Sequence, residues 1–280
     1  MKYIYENFKV QAATPTIGAY VQDLDLTQPH SPALYEELRR ALSDHKVLFF
    51  RNQNMSDDRF LELGHSFGKL EVHEFFPCPE NKPEIQIITT NGGRTGTDRW
   101  HTDVTFRPNP SAASILRAKD IPADGGGDTM WLCTNAAYNA LSDPLKTMLN
   151  KLTAVHDMRL GMTGYLDPAV VEKNARENPP LEHPAVIAHP ITGKPHLFVN
   201  SIWTSGFRDL PLEESKMLLD FLNDHIKRPE FQVRLRWDVD TIAIWDNIAT
   251  QHYALGDYEY KRVMNRMIVD GVAPKAFLAA

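Results

Sequence analysis

A histidine and an aspartate stand two residues apart in Trp100-His101-Thr102-Asp103-Val104-Thr105-Phe106, amid residues that favour strands. On a strand, positions i and i+2 share a face, so the imidazole and the carboxylate would point the same way and could chelate one metal ion. Alone, the pair reads as a hydrogen-bonded surface pair, because eleven histidines in 280 residues make such a spacing common. A third group alters the balance. The run Ile242-Ala243-Ile244-Trp245-Asp246-Asn247 predicts a buried strand, and Thr250-Gln251-His252-Tyr253 presents a histidine just past its end. Two imidazoles and one carboxylate leave one face of a metal open, as non-haem Fe(II) requires if it is to admit a cosubstrate and dioxygen. Zinc competes for the same donors, but zinc hydrolysis needs a general base poised beside its water, and nothing obvious in the sequence supplies one.

A second constellation is Lys261-Arg262-Val263-Met264-Asn265-Arg266-Met267-Ile268-Val269, which sets Arg262 and Arg266 four apart and therefore on one face of a strand. Either that face lies on a solvent-exposed edge or it points into a barrel. Inside a barrel each guanidinium needs an anion, for which its planar fork is suited. The two constellations fit one chemistry. Iron that activates dioxygen needs two electrons, and a 2-oxoacid chelating the iron, with its far carboxylate on one arginine, supplies them by decarboxylation. The other arginine then serves an acidic substrate.

The elements that must position these groups read as strand-led. Short segments of strand chemistry lie at 85–89, 114–117, 184–188, 196–200, 231–237, 241–245 and 262–269, with turns such as Pro190-Ile191-Thr192-Gly193 between them. Helices are expected from Ser31 to His45 on a Leu34/Leu38/Leu42 stripe, from Ser56 to Phe67 behind a Ser56 cap, from Asn135 to Leu152 with a break at Pro144, and from Leu212 to His225. Many short strands with helical cladding argue for a sandwich or barrel and against a regular βαβ repeat. Residues 160–180, polar and carrying Asp167-Pro168 and Asn178-Pro179-Pro180, read as a loop that could act as a lid.

Composition bounds the rest. The chain has 280 residues, is 42% hydrophobic and 24% charged, and so commands a sizeable core, most simply in a single domain spanning 1–280. A formal charge of -6 carries no footprint of a nucleic-acid or anionic-membrane partner. No apolar run has the length of a membrane span and the start lacks a signal peptide's apolar stretch, so a cytoplasmic protein is expected. Cys78 and Cys133 fit no ligand pattern and read as reduced thiols.

Taken together, the ordered motifs resemble the taurine dioxygenase group of Fe(II)/2-oxoglutarate-dependent oxygenases. The likeness runs from Ile17-Gly18-Ala19 through the 100–106 motif, Gly126-Gly127-Asp128-Thr129, His189-Pro190, Leu197-Phe198-Val199-Asn200 and Ile244-Trp245-Asp246-Asn247 to Gln251-His252-Tyr253 and the arginine strand. The resemblance implies a mainly β fold with α, a double-stranded β-helix (jelly-roll, cupin-like) core flanked by helices. It implies Fe(II) on His101, Asp103 and His252, the far carboxylate of 2-oxoglutarate on Arg262 and Thr129, and a substrate anion on Arg266 and His73. Dioxygen is the third reactant. The rest of the family's substrate pocket falls on Phe76, Thr97, Val104, Met162 and Trp203. Phe76 stands where taurine enzymes carry a tyrosine and Thr97 where they place an asparagine, while Met162 and Trp203 stand at their aromatic positions.

The expected activity is therefore hydroxylation of a small anion, with taurine or a related organosulfonate releasing an aldehyde and sulfite alongside succinate and CO2. An alkyl sulfate, an aryloxyalkanoate or an amino-acid-derived metabolite is the alternative that the altered pocket suggests. An alternative of another class is a metal-binding jelly roll without turnover. The resemblance also admits a homo-oligomer, although the sequence carries no interface signature. Among the other polar residues, His156, His183 and His189 read as hydrogen-bonded structural groups, and His30, His45, His65, His196 and His225 as surface residues. Trp245-Asp246-Asn247 reads as packing plus a bond that orients His252.

Overall fold

Val47, Leu48, Phe49 and Phe50 form a strand buried along its whole length, so alternate side chains must enter two different apolar layers. The computed structural model describes residues 4–72, 77–93 and 97–279. In chain order its elements are strands β1 (Lys9–Ala12) and β2 (Ala19–Gln22), helix α1 (Pro32–His45), β3 (Val47–Phe50), α2 (Asp57–His65), β4 (Gln86–Thr90), β5 (Ala113–Asp120) and β6 (Thr129–Cys133). Helices α3 (Thr134–Asn139) and α4 (Asp143–Leu149), β7 (Thr153–His156), α5 (Met158–Met162), α6 (Pro168–Glu177), β8 (Leu181–Pro184), β9 (Val186–Ala188) and β10 (Pro195–Leu197) follow. The chain closes with β11 (Thr204–Phe207), α7 (Leu212–His225), β12 (Gln232–Leu235), β13 (Ile242–Asp246), β14 (Thr250–Ala254), β15 (Arg262–Val269) and β16 (Lys275–Ala276).

The large sheet runs β1-β2-β3-β13-β5-β15-β4 and faces the sheet β12-β6-β14. Its pairings are antiparallel apart from β2 against β3. Val47 and Phe49 of β3, Leu116, Trp245 and Met264 of the large sheet meet Trp131, Val233 and Leu235 of the small one in the sandwich core. Leu48 and Phe50 point the other way, against Leu34, Leu38 and Leu42 of α1 and Phe60 and Leu63 of α2. Behind the small sheet, Leu132 packs with α3 and α7. Two facing sheets with helices on both outer faces constitute the jelly-roll core flanked by helices that the sequence suggests.

Local chemistry explains most boundaries. Ser31 caps α1 by accepting from Leu34 N, and Ser56 caps α2 by accepting from Arg59 N. Pro144 divides the 135–152 region as expected, with α3 ending at Asn139 and α4 starting at Asp143. The 160–180 segment departs from expectation: it is largely helical, its second helix opened by Asp167 accepting from Ala169 N with Pro168 at the first position. Its Asp-Pro is a helix start and not a loop signal. No helix among the described residues is long and apolar enough to cross a membrane.

Candidate active site

His101 and His252 are brought side by side by a reciprocal backbone bridge, His101 N to His252 O at 3.1 Å and His252 N to His101 O at 2.8 Å. Their ring centroids are 4.1 Å apart. His252 lies within β14 and not, as the sequence suggests, just past a strand end. Asp103 differs too, because the chain leaves strand geometry after His101 and enters a turn over 103–106. The cause is Asn247, whose Oδ1 accepts from Asp103 N at 3.1 Å and whose Nδ2 donates to Asp103 O at 3.3 Å. Those are the backbone groups a neighbouring strand would have taken. The same Nδ2 donates to Ser111 O at 2.9 Å and Oγ at 3.0 Å, and Val104 is turned to a φ of 49°. Asn247 thus orients Asp103 and not His252, whose ring packs instead on Trp245 with centroids 5.1 Å apart.

The result is a converging donor set. Nε2 of His101 lies 3.6 Å and Nε2 of His252 3.7 Å from Asp103 Oδ1, beyond hydrogen-bond length. The three ligand atoms lie within 4.8 Å of one another, a set that could hold a metal ion. Arg99 O, 2.8 Å from His101 Nδ1, accepts its proton and leaves the Nε2 lone pair directed at that point. Burial holds His101 below the usual imidazole range, and burial, then the neighbouring His101, takes His252 down to about 3. Burial would raise the Asp103 carboxyl, but the neighbouring His252 ring, the Arg266 guanidinium and the His101 ring outweigh it and hold it low. Two neutral imidazoles and an ionised carboxylate are the protonation states a divalent ion needs.

Arg262 and Arg266 both point inward from β15, lining with His252, Thr129, Thr97 and Leu116 a cavity of about 460 Å³. Arg262 is only 6% exposed, and its Nε and Nη2 have no hydrogen-bond partner among the described residues. Such a buried cation fits a carboxylate. Thr129, on β6 beside it, accepts from Trp237 Nε1 at 3.0 Å, which leaves its own O–H to donate. Close packing requires glycine here: at Gly127, φ +80°, a Cβ would meet Arg262 Cδ and the Tyr258 ring at 3.1 Å. Arg266 stands toward the metal-binding cluster, its Nε and Nη2 donating to Gln86 Oε1 at 3.0 and 2.9 Å.

Val104, Met162 and Trp203 come together with Phe106, Met158 and Ile202 in an apolar cluster. Trp203 Nε1 donates to Thr102 O at 3.1 Å, tying that cluster to the His101/Asp103 segment. Arg99 donates to Gly161 O at 3.2 Å and lies over Tyr165, so the 160–180 segment leans on the loop before the motif. His73 and Phe76 lie outside the described residues. Of the remaining histidines, His156 pairs with Thr105, His183 Nε2 with Arg107 O and His189 with Asp246, all as structural groups. His196 corrects the surface reading: it is 1% exposed and held by Thr134. Sequence reasoning did not single out Gln86, and its only signal there is a polar residue inside Ile85-Gln86-Ile87-Ile88.

The chain matches the family described as taurine catabolism dioxygenase TauD, TfdA family, over residues 9–268. It is 36% identical to an α-ketoglutarate-dependent sulfate ester dioxygenase of Pseudomonas putida, over 92% of this chain and 88% of that one. Among solved structures, a taurine dioxygenase from Burkholderia xenovorans superimposes with a TM-score of 0.83 at 34% identity, covering 96% of this chain and 91% of the other. AAD-2 in complex with Mn(II) and N-oxalylglycine gives 0.84 at 25% identity, covering 96% of this chain and all of the other. The chain belongs to the TauD/TfdA dioxygenase family and is a dioxygenase that uses Fe(II), 2-oxoglutarate and dioxygen.

Proposed function

We propose that His101, Asp103 and His252 hold the Fe(II), that Arg262 and Thr129 take the far carboxylate of 2-oxoglutarate, and that Arg266, with His73, docks the anionic end of an organosulfonate or sulfate ester. The observation that carries this reading is one cavity containing His252 and two inward arginines four residues apart on β15. Iron bound with 2-oxoglutarate supplies oxidation of a substrate C–H bond, coupled to decarboxylation to succinate and CO2. The chain's own residues supply geometry: Asn247 fixes Asp103, the Arg99 carbonyl fixes the His101 tautomer, and the tryptophans around the site exclude water. Thr97 lines the cavity wall, and Phe76 belongs to the same substrate pocket by resemblance.

The tail of the substrate is apolar on this reading. Val104, Met162 and Trp203, which the resemblance assigns to the substrate pocket, pack in an apolar cluster with Phe106 that suits an alkyl chain better than the ammonium of taurine. The products separate the choices. Hydroxylation beside a sulfonate releases sulfite and an aldehyde, whereas hydroxylation beside a sulfate ester oxygen releases sulfate and an aldehyde. The test is product analysis with hexyl sulfate, hexanesulfonate and taurine: succinate matched by sulfate or sulfite from the hexyl compounds, above taurine, is expected. Succinate matched only by sulfite from taurine would reject the apolar tail. We assign the enzyme to the cytoplasm, where 2-oxoglutarate and reduced iron are available.

A further inference from the structure

Directly across the β15–β4 ladder from the two arginines stand two uncharged side chains, Thr90 opposite Arg262 and Gln86 opposite Arg266. Paired residues of adjacent strands project to one face, so each is the natural cross-strand neighbour of its arginine. Gln86 uses that position fully: its Oε1 accepts from both Nε and Nη2 of Arg266. A guanidinium only donates, so the amide oxygen must face it and the amide nitrogen must face away. That nitrogen, on a residue 1% exposed, is buried with no hydrogen-bond partner among the described residues.

An orphaned buried donor is costly, and a methionine would fill the same volume without it. A glutamate would pair with Arg266 more strongly, through charge-assisted bonds, but would cancel its charge. Glutamine alone of the three grips the guanidinium along one edge and leaves its charge intact. A guanidinium already fixed also loses less side-chain freedom when an anion docks.

We propose that Gln86 is a positioning and specificity-determining residue: a neutral clamp that presets Arg266 for the oxyanion of the substrate. This rests on the reading of Arg266 as the anion-docking residue. The experiment compares wild type with Gln86→Met, Gln86→Glu and Arg266→Ala, using hexyl sulfate as probe, and reads KM and kcat for it, KM for 2-oxoglutarate, and melting temperature. Gln86→Met is expected to raise the hexyl sulfate KM about tenfold, the worth of hydrogen bonds to a charged group, with the 2-oxoglutarate KM within about twofold and no loss of melting temperature. Gln86→Glu is expected to raise it further, about a hundredfold, by neutralising Arg266. If either Gln86 variant keeps the wild-type KM while Arg266→Ala raises it, the clamp is overturned and the docking role of Arg266 stands. If Arg266→Ala itself leaves the hexyl sulfate KM unchanged, the underlying reading fails. A Gln86→Met protein that melts lower and loses both affinities together would mark the residue as merely structural and also overturn the proposal.

Discussion

Arg262→Met should separate stability from function in opposite directions. In the wild type the guanidinium is 6% exposed with Nε and Nη2 unpartnered among the described residues, and Tyr258, Asp128 and the Trp237 ring offset the burial of its charge only in part. Methionine keeps an unbranched apolar stem and carries no charge, and its introduction removes that penalty, so the ligand-free variant should melt at or above the wild type. Affinity for 2-oxoglutarate should collapse. Removing one partner of a buried ion pair costs about 3–5 kcal/mol, or roughly two to three and a half orders of magnitude in dissociation constant. At 2-oxoglutarate a hundredfold above its wild-type dissociation constant, ligand binding stabilises the fold by about 2.7 kcal/mol. That corresponds to a melting shift of roughly 5 °C for a chain of this length, which the variant should lack. The assay is thermal melting of Fe(II)-loaded protein under argon with and without 2-oxoglutarate, alongside the 2-oxoglutarate KM from succinate release. A variant that keeps a 2-oxoglutarate KM within about twofold of wild type would refute the assignment, and Arg262→Lys should fall between the two, keeping the charge but not the fork.

Two further outcomes follow from the geometry. Asn247→Ala leaves the buried backbone of Asp103 without its side-chain partners, so denaturant unfolding should show a loss of about 1–3 kcal/mol and metal affinity should fall about 10- to 100-fold; unchanged Fe(II) affinity would mean that Asp103 holds its turn unaided. Burial, then the neighbouring His183, depress His156 to about 3. Above pH 6.5 the residue is neutral folded and unfolded and contributes no pH dependence; as pH falls below 6.5 the unfolded chain takes the proton first, so stability drops by about 1.4 kcal/mol per pH unit until the folded pKa is reached. His156→Gln should flatten the slope of unfolding free energy between pH 6 and 4 by about one proton, and an unaltered slope would show that His156 does not contribute to it.

Residue types and spacing made the donor set legible, since two imidazoles, a carboxylate and two arginines on one strand face have few joint uses. Their local structure was less so. Asp103 was expected to share a strand face with His101, but its backbone is taken by Asn247, 144 positions away in the chain, and no periodicity reports a side chain that replaces a ladder. β1 is a largely exposed edge strand of Lys9, Val10, Gln11 and Ala12, with too little apolar alternation to announce itself. The Asp167-Pro168 pair reads as a turn or as a helix start, and the short apolar side of α6, Val171 and Ala175, was too weak to decide it. Gln86 acquires meaning only from register: it stands opposite Arg266 because β4 pairs with β15, which single-sequence patterns do not specify.

The most direct measurement is an anaerobic titration of Fe(II) and 2-oxoglutarate into wild type and His252→Ala, following the visible charge-transfer absorption of an iron chelate. The wild type should develop the band at one equivalent of each, and His252→Ala, with one of the three converging donors removed, should not. A band of undiminished intensity in His252→Ala would contradict the metal site formed by His101, Asp103 and His252.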